Sequence, residues 1–200
     1  MPFVQRYSDV KKGAIIFAGN TLGLSKAANS NSPGTEGSIG AFTSLNTSLQ
    51  VGNFPAGTTL DYTLNGSRAQ LSLPAGSSVL YAELVWGGLY RSTVNNISNL
   101  INNTVVFSTP MSANVQIAPD ASTSQDFVIT VDNVTVGFYV RSANVTSLVA
   151  AALSGAYSVQ RVPALIEAID SRTSQTNHAG WTLAVVYENQ TLDLRNLTLW

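Results

Sequence analysis

No cysteine occurs anywhere in these 200 residues, and histidine occurs once, at His178. The first absence excludes disulfides, thiolate nucleophiles, zinc fingers and iron–sulfur sites together. The second removes metal sites built on several imidazoles. Charge is scarce as well: ten basic and eleven acidic residues make up 10% of the chain, against about a quarter in an ordinary soluble domain. The net charge is −1 and the only adjacent basic pair is Lys11-Lys12, so there is no electrostatic footprint for nucleic acid. No apolar run approaches the roughly 18 residues of a membrane-spanning helix. The opening Met1-Pro2-Phe3-Val4-Gln5-Arg6 lacks the basic-then-apolar pattern of a secretion signal. The chain is expected neither to bind nucleic acid nor to insert into a membrane. A signal has been removed, or the protein reaches its destination without one.

What fills the space left by charge is hydroxyl and amide: 23 Ser, 19 Thr and 17 Asn. Hydrophobic residues are 44% of the chain, enough for a core, and this combination is unlike the high charge and low hydrophobicity of disorder. The length suits one sizeable domain.

Residues 1–12 read as an extended arm and 13–200 as a single domain. Ala14–Ala18, closed by Gly19-Asn20, is a short apolar strand. Residues 25–40 are a Ser-, Asn-, Gly- and Pro-rich loop. Strands are expected at Ala41–Val51, Thr58–Leu64 and Arg68–Leu73, the last two joined at Asn65-Gly66, a pair suited to the positive φ angles of a tight hairpin. Val79–Trp86 is apolar on both alternating faces except at Glu83 and belongs at the centre of a sheet, with Gly87-Gly88 ending it or allowing a bulge. Further strands are expected at Thr104–Ser108, Asn114–Ile117, Phe127–Val131, Thr135–Arg141, Tyr157–Val162, Trp181–Tyr187 and Leu194–Trp200, with Asp132-Asn133 as a turn. Between them Val145, Leu148, Val149, Ala152 and Leu153 form one apolar stripe, predicting a short α-helix over about 144–154. Ser142 or Asn144 would cap its start and Gly155 its end. Short strands punctuated by turns, plus one helix, predict an all-β fold of β-sandwich or jelly-roll type. The last strand stops without a turn or polar tail, as in a piece of a longer chain.

Chemistry-bearing patterns are few. His178 follows Asp170, Ser171 and Ser174, but no Gly-x-Ser-x-Gly elbow exists to hold a nucleophile. The plain reading is a loop histidine bonded to backbone. Asp120, Asp126 and Asp132-Asn133 do not match an EF-hand calcium loop and read as turn residues. Glu83, alone in an apolar strand, must be paired, neutral or at an edge. It would face solvent, pair with a buried Arg or Lys, or act as the acid of a Lys–Asn isopeptide crosslink. Among aromatics, Trp86 and Trp181 read as core anchors, while Tyr90 and Trp200 are candidate ligand contacts, as on a sugar-binding surface. No catalytic residue, cofactor or metal ligand is assigned.

Several ordered blocks carry a resemblance. They are Gly19–Leu24, Leu84-Val85-Trp86-Gly87-Gly88, Asn144–Val149, Gly155-Ala156-Tyr157, Ala179–Glu188 and Leu194–Thr198. Together they resemble the N-terminal domain of large bacterial surface proteins, typically Gram-positive, that continue into tandem conserved β-sandwich repeats. The resemblance covers most of the chain and implies a non-enzymatic structural or adhesive domain at a cell-wall or spore surface, outside the cell. Its partners would be other surface-protein subunits or host and glycan ligands, with self-assembly through the arm at 1–12 as a further expectation. A carbohydrate-binding jelly-roll module is the alternative.

Overall fold

A computed structural model of the chain describes residues 4–168 and 172–200. The fold is all-β and sandwich-like. Among the described residues thirteen strands run as β1 Tyr7–Thr21, β2 Gly23–Ser25, β3 Ile39–Thr43, β4 Thr58–Thr59, β5 Gly66–Leu71, β6 Ser78–Arg91, β7 Val105–Ser108, β8 Val115–Ile117, β9 Gln125–Val131, β10 Val134–Asn144, β11 Gly155–Gln160, β12 Ala179–Glu188 and β13 Leu194–Leu199. The helix α1, Thr146–Ala152, lies between β10 and β11. A six-stranded sheet has the order β13-β1-β12-β6-β10-β9, a four-stranded sheet β5-β11-β7-β8, and a small third sheet β2-β3-β4. All pairings are antiparallel.

The core lies between the large sheet and the other two. Leu84 and Trp86 of β6, Trp181, Leu183 and Val185 of β12 and Tyr139 of β10 meet Phe107, Tyr157 and Val159 of the four-stranded sheet and Phe42 of the small one. The residues alternate along each strand because successive side chains leave opposite faces. The β6 strand is central, between β12 and β10, as its two apolar faces predict.

Several boundaries differ from the sequence reading. Of the expected arm at 1–12, residues 1–3 lie outside the described residues, and from Tyr7 onward it is the first half of β1, which pairs with β13 while the second half pairs with β12. β6 runs through Gly87-Gly88 to Arg91, because a Cβ at Gly87 would collide with the Tyr139 carbonyl of β10. Glycine there permits close approach of strands rather than an end. The β6 register slips one residue at Leu80 and again at Tyr90. Of the strands expected over 41–64, only Ile39–Thr43 and the two residues of β4 form. Asp61 instead caps a 3-10 turn at Tyr62–Leu64.

Asn65-Gly66 is not a hairpin. Asn65 is extended, at φ −69° and ψ 154°, and buried. Its side-chain amide donates to Val162 O at 2.8 Å, and its Oδ1 accepts from Val162 N at 3.0 Å. A side-chain amide thus takes the place of a neighbouring strand's backbone. Asp132-Asn133 does form the expected turn, with φ of 50° and 64°, the signature of a two-residue hairpin. At the helix, Asn144 Oδ1 accepts from Thr146 N at 3.0 Å. Leu153 ends the helix at φ 55° and ψ −131°, and Gly155, at φ 148°, opens β11 instead of closing the helix.

Candidate functional site

A depression lies on the outward face of the large sheet. Strand register places Gly19, Thr182, Val85 and Ser142 side by side across β1, β12, β6 and β10, and Thr21, Gly180, Gly87 and Val140 in the adjacent row. Glycines and short side chains make these two rows low. Phe17, 61% exposed, stands beside them. The ribbon formed by β13 and the first half of β1 reaches back over this face, bringing Arg6, Leu199 and Trp200 to its border. The result is a trough. One part, about 350 Å³, is lined by Phe17, Val85, Val140, Trp200 and the polar run Ser122–Gln125. A second, about 600 Å³, shares Phe17, Val85, Val140 and Thr182 and extends to His178.

Glu83 lies at the first end of the trough and is buried. Arg6 Nη2 donates to its Oε1 and the Tyr81 hydroxyl to its Oε2. Arg6 also donates to Ser142 Oγ at 3.2 Å, which in turn is hydrogen-bonded to Thr123 Oγ1 at 2.8 Å. Of the three readings of Glu83, the ion pair with an arginine is the one present, and no lysine is among its partners. Burial, with the hydrogen bond to Glu83 behind it, pushes the Tyr81 hydroxyl up to about 12. Asp120 caps the turn at Ala121–Thr123, and the Ser122 hydroxyl and amide hold its carboxyl below the usual range.

Trp200 is 64% exposed and borders the trough, where a ligand contact would be needed. Tyr90 is not. It is 4% exposed, points into the core and meets Tyr139 edge-on at 6.2 Å between ring centres. Alternation along β6 sets it on the core face with Leu84 and Trp86. Trp86 and Trp181 are core anchors, the latter donating to Ser67 Oγ at 2.9 Å. His178 Nδ1 donates to the Thr176 carbonyl at 3.1 Å, and its ring lies 5.0 Å from Phe138. Asp170 and Ser171, its sequence-suggested partners, lie outside the described residues. No three His, Cys, Asp or Glu side chains converge as metal ligands among the described residues, and no helix among them is long and apolar enough to cross a membrane.

Four buried polar residues, Lys26, Asn177, Glu167 and Arg141, escaped the sequence reading. Lys26 is buried, its Nζ 3.3 Å from Ser174 Oγ. Nearby, Asn177 bonds to Ser38, Ile39 and the backbone of Glu167, whose carboxylate accepts from Asn95 Nδ2 at 3.1 Å. Arg141, on the opposite side of the sheet from Val140, is buried against Asn102, Gln125 O and the Tyr139 ring. These groups tie long loops to the sheets. Only the partners, remote in sequence, distinguish them from surface residues. No protein-family model matches the chain, and neither the curated proteins nor the solved structures contain a match to it.

Proposed function

We propose that this chain is a non-enzymatic adhesive domain of a bacterial cell- or spore-surface protein, and that it holds a saccharide in the trough on its large sheet. The observation that carries this reading is the pairing of two exposed aromatic rings, Phe17 and Trp200, with a rim of hydroxyl and amide groups at Ser122–Gln125 and Thr182. A sugar ring presents an apolar C–H face and an equatorial belt of hydroxyls, so aromatic faces beside hydrogen-bonding groups are complementary to it. The floor of glycines and short side chains leaves room for a flat ring to settle. The blocks resembling the N-terminal domains of large surface proteins favour the same setting.

The test is a glycan array followed by titration of the best saccharide. Trp200→Ala and Phe17→Ala are each expected to weaken binding about tenfold, or ~1.4 kcal/mol, with unchanged thermal unfolding. An array without a hit at millimolar saccharide, or affinities indifferent to both substitutions, sinks the proposal.

A further inference from the structure

β9 sits at the outer edge of the large sheet. It pairs with β10 on one side only, and every one of its seven residues is exposed. Four of them are large and apolar: Phe127 at 60%, Val128, Ile129, and Val131 at 56%. Apolar side chains thus stand on both faces of a strand that lacks lysine, proline and bulge, the features by which edge strands avoid pairing. Arg141 holds its start in place, donating to Gln125 O at 2.7 Å with Asp126 at 3.8 Å.

The hairpin geometry says which backbone groups face outward. A two-residue turn makes Val131 and Val134 a hydrogen-bonded pair, so alternation aims the N–H and C=O of Asp126, Val128 and Thr130 at the free edge. Water reaches these groups in the monomer, and another extended chain matches their spacing. We propose that the occupant is a second copy of this protein, paired antiparallel through β9 about a two-fold axis at Val128. That register places Val128 opposite itself, Asp126 opposite Thr130 of the second copy, and Phe127 opposite Ile129 of the second copy. Roughly six backbone hydrogen bonds form, and no like charges meet. Centring the pair on Ile129 instead would set Asp126 against Asp132 of the second copy, a repulsive pairing. The two large sheets become one, continuous across the axis. Occupancy of the trough is not required.

Sedimentation equilibrium and a single cysteine test this. The protein is expected to dimerise reversibly, and Val128→Lys, which sets two ammonium groups face to face on the axis, is expected to weaken the dimer more than tenfold. Val128→Cys is expected to give a disulfide-linked dimer on oxidation, since directly opposed hydrogen-bonded residues lie about 5.5 Å apart. Met111→Cys, at a residue 71% exposed between β7 and β8 of the four-stranded sheet, is the control. A monomer at every concentration up to about 1 mM, a dimer indifferent to Val128→Lys, or equal crosslinking of both cysteine variants overturns the proposal.

Discussion

Glu83 is where this fold concentrates its electrostatics. A carboxylate buried in a sheet is tolerable only with its charge answered and its lone pairs filled, and Arg6 and Tyr81 do both. Removing the arginine leaves the anion stranded. Arg6→Ala is therefore expected to cost about 3 kcal/mol in urea unfolding, at the low end for a broken buried pair because the trough admits water. The hydroxyls add a pH dependence. Tyr81, through burial and its bond to Glu83, and Tyr157, through burial, are both pushed up to about 12, against about 10 in the unfolded chain. A folded value above the unfolded one means stability is intact below pH 10 and falls as pH rises from 10 through 12. Unfolding midpoints measured across that window are expected to drop, and Tyr81→Phe to flatten part of the drop. At this scale the sequence was half legible. A lone acid in an apolar strand announces a partner, but nothing local says it is Arg6, 77 positions away. Asn65 misled because an Asn-Gly pair encodes a turn only when the asparagine side chain is not claimed elsewhere, and here Val162 claims it.

Strands were more legible than residues, and central strands more than peripheral ones. β6 and β12 lie in the middle of the large sheet, paired along both edges and almost wholly buried on the core side, so a nearly continuous apolar run marks them without knowledge of the partner. β3 and β4 are short because the hydroxyl-rich stretch between them spends its hydrogen bonds locally: Thr58 Oγ1 accepts from Val51 N at 3.0 Å and donates to Pro55 O at 2.8 Å. Such local bonding competes with ladder formation and has no periodic signal. Gly87 shows the limit of reading glycine as punctuation. Its missing Cβ lets β10 approach β6 in mid-strand, so Gly87→Ala must push the two strands apart. It is expected to lower stability by about 2 kcal/mol or more, with the loss of protection in hydrogen exchange centred on β6 and β10.

Across the whole molecule, alternation and turn spacing were enough for an all-β sandwich, since those signals sum over many elements. They could not supply the strand order β13-β1-β12-β6-β10-β9, which depends on pairings between segments far apart. The trough was invisible for the same reason: Gly19, Gly87 and Gly180 become a floor only once β1, β6 and β12 lie in register. Trp200 could be picked out as a candidate contact, but not that Phe17 would stand near it.

The placement of β1 also bears on the order in which this fold can be completed. Its two partners, β12 and β13, are the last strands in the chain. During synthesis from the N-terminus, the β6–β10–β9 part of the sheet and the helix behind it can assemble once residue 152 has emerged, while β1 waits for its ladder partners with Ile16 and Ala18 uncovered. Closing that gap joins segments more than 150 positions apart, and contacts at such separation slow folding. The first strand made is thus among the last to find its place, and until then the nascent chain presents a long, unsatisfied strand to whatever surrounds it.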